Sequence, residues 1–276
     1  PLLHLTDVDD KSIQSLILCP TRELCLQIGK DLSMYSKYLK GVSVLSVYGG
    51  EKIEKQIKNL KKTPQIIVGT PGRTKDLIKR KKLFLGDTKR LIMDESDEML
   101  SMGFKEDLEF ILNSSSIDKN ILLFSATMTK KVIAVTKKYM KNPVEISVTK
   151  LNRGADNINH IFYMVHAKDR YEVVKRIADM NPNIYGIVFC RTRRETKDIA
   201  NKLMIDHYNA DTIHGDLAQS ERDEVMMRFR NKKIQILVAT DVAARGLDVE
   251  ELTHLLNYNL PDDDEIYIHR SGRTGR

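Results

Sequence analysis

Short apolar runs rich in Ile, Val and Leu recur along the chain, with amphipathic stretches of helical period between them. In the first half the runs are Leu16 to Leu18, Val42 to Val47, Ile66 to Val68, Leu91 to Met93 and Ile121 to Phe124. In the second half they are Ile161 to Val165, Ile187 to Phe189, Ile236 to Val238 and Leu252 to Leu256, with Ala210 to Ile213 weaker. Runs apolar at every position suit strands buried on both faces, so the pattern predicts an α/β fold of parallel sheets flanked by helices. The two halves echo each other. Between them the chain turns polar, holds Gly154 and loses its apolar period, which predicts domains over 1–147 and 160–276 joined by a linker at 148–159.

Polar residues cluster just beyond the runs. Leu18 leads to Cys19-Pro-Thr-Arg-Glu, Val47 to Tyr48-Gly-Gly, Val68 to Gly69-Thr-Pro-Gly-Arg, Met93 to Asp94-Glu-Ser-Asp and Phe124 to Ser125-Ala-Thr. The second half continues with Cys190-Arg-Thr, His214-Gly-Asp and Thr240-Asp. In open parallel sheets ligands bind beyond the carboxyl ends of strands. Eight such loops predict a site in the cleft between domains.

Composition narrows the partner. At 276 residues and 41% apolar content the chain is long enough for two ordinary domains. No window approaches the roughly 18 uninterrupted apolar residues of a membrane span, so no membrane partner and a soluble, cytoplasmic protein are expected. Cys19, Cys25 and Cys190 are an odd count without a Cys-x-x-Cys pair, which supports neither a disulfide framework nor a zinc site. The net charge of +7 is uneven: residues 1–150 hold 26 Lys and Arg against 18 Asp and Glu, and residues 151–276 hold 19 against 20. The basic half suits a polyanion, although Lys-rich runs are commonly solvated faces. In the second half 13 of the 19 cations are Arg, whose planar fork binds phosphate bidentately.

A strand ending in Asp-Glu suits nucleotide hydrolysis: Asp94 would hold Mg²⁺ through water and Glu95 would orient the attacking water. Its bland alternative is a helix N-cap. At the far end, His269-Arg-Ser-Gly-Arg-Thr-Gly-Arg sets Arg270, Arg273 and Arg276 three apart, roughly on one helix face, where guanidinium groups could reach a γ-phosphate. Gly49-Gly50 and Thr70-Pro71-Gly72-Arg73 offer backbone N–H groups, a hydroxyl and a guanidinium suited to a sugar-phosphate backbone. With no Trp and few aromatics nearby, recognition indifferent to base sequence is expected.

In order and spacing these residues resemble the motifs of the DEAD-box family of ATP-dependent RNA helicases over essentially the whole chain. The matching sets are Pro20-Thr-Arg-Glu-Leu24, Gly49-Gly50, Thr70 to Arg73, Asp94-Glu-Ser-Asp97 and Ser125-Ala-Thr127, then Val188 to Arg191, His214-Gly-Asp216, Gln219 with Arg222, Ala239-Thr-Asp241, Ala244 to Asp248 and His269 to Arg276. The resemblance implies two RecA-like domains, with ATP and Mg²⁺ as cofactors and RNA as partner. It assigns Asp94 and Glu95 to Mg²⁺ and the attacking water, and Ser125 and Thr127 to coupling hydrolysis with domain closure. Arg273 and Arg276 become arginine fingers, Asp248 meets the ribose, and Asp97, Gly246, His269 and Arg270 join the nucleotide site. RNA contacts fall to Pro20, Thr21, Arg22, Gly49, Gly50, Thr70, Pro71, Gly72 and Arg73, and in the second domain to Arg191, Gln219, Arg222 and Thr240.

Two departures stand out. Ser96 replaces the family's Ala between the acidic residues, with little effect expected. The phosphate loop Gly-x-x-x-x-Gly-Lys-Ser/Thr is missing: the only Gly-Lys, Gly29-Lys30, is followed by Asp31 and has Leu24 where the first Gly should stand. In the family that loop precedes the segment matching Pro1, and a last strand follows Arg276. The resemblance thus implies a piece of a longer helicase, itself without meaningful ATPase. The alternatives are a complete RNA-binding module without turnover, or a DNA-translocating relative.

Overall fold

The computed structural model describes residues 1–147, 158–244, 249, 251–272 and 274. The chain divides into two compact units, Pro1–Val148 and Thr149–Arg276. Most of the expected linker lies outside the described residues.

In the first unit β1 (Ser15–Leu18), β2 (Val44–Val47), β3 (Ile66–Gly69), β4 (Arg90–Met93) and β5 (Asn120–Leu123) form one parallel sheet in the order β2-β3-β1-β4-β5. Its helices are α1 (Arg22–Tyr35), α2 (Ile53–Leu60), α3 (Pro71–Lys79), α4 (Ser96–Ser101), α5 (Lys105–Asn113) and α6 (Lys130–Tyr139). Every residue of β1 and β3 is buried, which is why these strands read as unbroken apolar runs. One face is closed by α2 to α6 around Leu16, Leu18, Ile67, Leu91 and Met93. The other is closed by α1, whose Leu24, Cys25, Ile28 and Leu32 pack on Ile17, Ile66 and Val68. Along that second face Ile17 pairs with Ile92 and Ile92 with Leu122. There the cover thins toward the edge: Leu122 and Phe124 are exposed.

Gly29 sits within α1, where an added Cβ would stand 2.2 Å from the Ser46 hydroxyl. Close packing on β2 therefore accounts for this glycine, and Gly29-Lys30 opens no phosphate loop.

The second unit repeats the plan. Its strands β6 (Gly186–Cys190), β7 (Ala210–Ile213), β8 (Ile236–Thr240) and β9 (His254–Asn257) are parallel in the order β7-β8-β6-β9. The accompanying helices are α7 (Arg170–Met180), α8 (Arg193–Ile205), α9 (Gln219–Arg230), α10 (Asp241–Ala244) and α11 (Asp264–Ser271). Cores lie on both faces of this sheet too.

One expected strand is absent. Ile161 to Val165 pairs with no strand among the described residues, and its five side chains are exposed. An apolar run predicts a buried strand only where a neighbour completes its ladder, and periodicity carries no information about that neighbour. Two expected runs shift by about a strand end: Val42 to Val47 begins pairing at Val44, and Leu252 to Leu256 becomes β9.

Gly186 tests the tightness of the second sheet. A Cβ there would stand 2.7 Å from the backbone oxygen of His254, so β9 would have to move. Gly186→Ala should destabilise the unit by about 1–3 kcal/mol, the usual effect of overpacking, read from urea unfolding followed by circular dichroism.

Candidate nucleotide and RNA-binding residues

Both sheets are all-parallel, so the loops after their strands gather on one edge of each unit. Strand order then sorts them. In the first unit the loops after β2, β3 and β1 carry Gly49-Gly50, Thr70 to Arg73 and Pro20 to Arg22, and they are neighbours. Those after β4 and β5 carry Asp94 to Asp97 and Ser125 to Thr127, and they are neighbours too. Residues expected to meet RNA and residues expected to meet the nucleotide thus occupy adjoining halves of one edge.

On the nucleotide side, Asp97 is buried at the start of α4. Its Oδ2 accepts from the backbone N–H of Thr127 at 2.8 Å and from the Thr127 hydroxyl at 2.7 Å, while Oδ1 accepts from the N–H of Glu98. Ser96 adds a second tie: its N–H and its hydroxyl both donate to the Phe124 carbonyl, at 3.0 and 2.9 Å. The departure from Ala adds only the hydroxyl bond, since the backbone bond and the Asp97 contacts with Thr127 join the two loops in either case. Ser125 donates to the Thr127 carbonyl at 2.7 Å. Glu95 stands at the head of α4 with φ of 47°, a left-handed conformation uncommon outside glycine, and makes no side-chain cap. The N-cap alternative is thus not realised by Glu95, and Asp94 instead accepts from the N–H of Glu95 at 3.0 Å. Burial pushes the Asp94 carboxyl above its ordinary range; the Glu95 N–H pulls against this and the nearby Asp97 adds to it. Among the described residues no three His, Cys, Asp or Glu side chains form a ready metal cage. The carboxylates of Asp94 and Glu95 after β4 are a donor set of the kind Mg²⁺ takes, one or two carboxylates with water and substrate phosphates completing its shell.

On the RNA side, Thr21 caps α1 by accepting from the N–H of Leu24, and Arg22 lies 4.9 Å over the Tyr48 ring. Gly50 adopts φ of 84° with Arg22 close by, so the turn requires glycine there. Pro71 opens α3, behind Thr70, with Gly72 exposed and Arg73 half-buried.

In the second unit Arg191 is exposed at the end of β6, its N–H donating to Asn259 and its guanidinium to Asp262 at 2.7 Å. Gln219 and Arg222 lie on α9, and Thr240 ends β8. His214 is buried; burial and then Lys197 hold its imidazole below the usual range, favouring the neutral ring. Arg270 departs from expectation. Its guanidinium is 4% exposed and makes two bonds to Asp241, at 2.5 and 2.8 Å, and two to Asn257 and the Asn259 carbonyl, at 2.6 and 2.8 Å. It also lies 4.9 Å over the Phe189 ring. Four of its five N–H donors are thus committed inside the unit, which makes it an anchor for α11 and corrects its expected place among the nucleotide ligands. His269 precedes it on the same helix, which runs to Ser271. Gly246, Asp248, Arg273 and Arg276 lie outside the described residues.

Two family descriptions match this chain: DEAD/DEAH box helicase over residues 1–135 and helicase conserved C-terminal domain over residues 169–276. A DEAD box protein from the hyperthermophile Methanococcus jannaschii, known from a crystal structure, is 45% identical; the match covers the whole of this chain and 74% of that one, with a TM-score of 0.53. The chain belongs to the DEAD-box family. The yeast Saccharomyces cerevisiae Dbp5, solved bound to RNA and ADP BeF3, matches at 29% identity with a TM-score of 0.88, over all of this chain and 71% of that one. The ATP-dependent RNA helicase CshA of Listeria monocytogenes is 45% identical over the whole chain, which covers 53% of it. The chain therefore spans about half the length of the curated relatives it matches.

Within this DEAD-box chain, Gln56 lies outside every motif, and Tyr48 and Asp241, though inside motif loops, carried no role of their own in the sequence. Gln56 left a trace, since it falls on the inward face of α2 with Ile53, Ile57 and Leu60. The partnership of Asp241 with Arg270 spans 29 residues and left none. All three cysteines are buried and free. No described helix is long and apolar enough to cross a membrane.

Removing the Arg270 anchor by Arg270→Gln should destabilise the second unit by about 3 kcal/mol or more, because Asp241 loses its buried partner; urea unfolding measures this. Asp94→Asn should do the opposite to the first unit at neutral pH. With its folded pKa raised, Asp94 favours the folded state below the unfolded pKa, and that contribution is lost as pH rises through the folded value. The gain from Asn should accordingly shrink between neutral pH and about pH 4, measured by the same unfolding at each pH.

Proposed function

We propose that this chain forms most of the core of an ATP-dependent RNA helicase, which binds RNA through its sugar-phosphate backbone and separates short duplexes locally, coupled to ATP hydrolysis. One observation carries the reading: backbone-directed loops and acidic loops share one sheet edge, and Asp97 ties the acidic loop to Ser125-Ala-Thr127. The relatives support it, as CshA is named an ATP-dependent RNA helicase and Dbp5 holds RNA with a nucleotide analogue.

In this mechanism bound Mg²⁺ would neutralise charge developing on the phosphates, with Asp94 as its protein anchor. Glu95 accepts a proton from the attacking water, the left-handed backbone at its position setting the direction of the carboxylate. Thr127 reports the state of that loop through Asp97, so a shift of Ser125-Ala-Thr127 alters α4 directly. Arg22, Gly50, Thr70, Gly72 and Arg73 take the RNA backbone in the first unit, and Arg191, Gln219, Arg222 and Thr240 in the second. Asp248, Arg273 and Arg276 complete the nucleotide contacts by family resemblance.

A second reading has its own support. The sequence contains no phosphate loop, so the 276 residues alone would bind RNA without turnover.

The test is RNA-stimulated phosphate release by the protein extended to the length of its relatives. Glu95→Gln should lower the rate by about 10²–10⁴-fold, the usual share of a general base, with RNA binding intact. Undiminished turnover would remove Glu95 from the mechanism, and stimulation by DNA equal to that by RNA would favour a DNA-translocating enzyme. The 276-residue chain should release no phosphate above background.

A further inference from the structure

Gln56 lies on α2, outside every motif, yet its side chain is 1% exposed and fully engaged with two of them. Its Nε2 donates to the Tyr48 carbonyl at 3.0 Å and to the Glu51 carboxylate at 3.1 Å, and its Oε1 accepts from Arg73 Nη1 at 3.0 Å. Arg73 Nη2 in turn donates to the Glu51 carbonyl at 3.1 Å. One buried amide thereby brackets Gly49-Gly50 from both sides, through Tyr48 and Glu51, and fastens that loop to the arginine of the next motif. Arg22, stacked on Tyr48, joins the same assembly from α1.

We propose that Gln56 is a positioning residue for RNA: it holds the Gly49-Gly50 turn and the Arg73 guanidinium in one fixed relation, so that both meet successive parts of one sugar-phosphate backbone. An arginine on a flexible stem loses rotamer freedom on binding phosphate. Arg73 has lost that freedom already, since two of its nitrogens are held while its remaining N–H groups keep their capacity to donate. Glycines present backbone N–H groups at close range only while the turn keeps its shape, and Tyr48 and Glu51 are the residues that frame it. A buried amide with every partner in place has one orientation, whereas an apolar residue at this point would leave the Tyr48 carbonyl and Arg73 without their partner. Ile53, Ile57 and Leu60 supply the apolar packing of α2, so its fold does not call for a polar group at Gln56.

This inference rests on the reading of Arg73 as an RNA ligand, and the experiment separates the two. Binding of a labelled single-stranded uridine oligonucleotide to the 276-residue chain is followed by fluorescence anisotropy across a salt series, with urea unfolding of each variant alongside. Arg73→Met should weaken binding several-fold and reduce the salt slope by about one, the signature of one lost phosphate contact. Gln56→Met should do the same, and the double variant should bind no more weakly than Arg73→Met alone. Gln56→Glu is nearly isosteric and still accepts from Arg73; it should keep the original salt slope while losing affinity through the loosened turn. Effects that multiply in the double variant, or a folded Gln56→Met with full affinity beside a weakened Arg73→Met, would overturn the role of Gln56. Full affinity and slope in Arg73→Met would overturn the RNA reading of Arg73 and this proposal with it.

Discussion

The carboxylate of Asp97 is the joint between the loop after β5 and the start of α4 in the first unit. It is buried where water cannot share its load, and it accepts from both the backbone and the hydroxyl of Thr127. A buried anion in this position is stable only while its donors stay in place. The loop after β5 and the start of α4 therefore have to move together or not at all. Ser96 reinforces this by donating twice to the Phe124 carbonyl, so two independent side chains bind the same pair of loops. Rigidity there lets Glu95 keep a backbone conformation that would otherwise relax.

How much of this could be read from residues alone depended on the range of the interaction. The central strands announced themselves, because burial on both faces leaves an unbroken apolar run, as in Leu16 to Leu18 and Ile236 to Val238. Ile161 to Val165 carried the same signal without a strand neighbour among the described residues. Site loops were legible because parallel strands deliver their ends to one edge, so a motif after a strand is already placed. What escaped were partnerships across sequence. Arg270 has the spacing of a finger, and only the position of Asp241, Asn257 and Asn259 shows that its donors point inward. Gln56 was visible as a polar residue on an apolar helix face, a weak hint with many structural explanations.

The basic excess of the first half also has a different meaning in three dimensions. Lys37 and Lys40 precede β2, Lys61 and Lys62 precede β3, and Arg80, Lys81, Lys82 and Lys89 precede β4. These cations gather where strands begin and helices end, opposite the motif loops. Cations at helix C-termini complement the helix dipole, and two of them face acids, Lys89 with Asp10 and Arg80 with Asp76. At the motif edge Arg73 donates to Gln56 and to the Glu51 carbonyl, and the loop of Arg22 adjoins the acidic loop of Asp94 to Asp97. The motif edge of this unit thus carries a few well-held groups of both signs.

The bare stretch from Ile161 to Val165 bears on how the chain behaves in a tube. An exposed apolar segment is a template for a stranger's strand, and natural sheets blunt such edges with charge, proline or cover. Here five consecutive apolar side chains offer none of these. At high concentration this short ribbon is a place where copies of the chain can adhere.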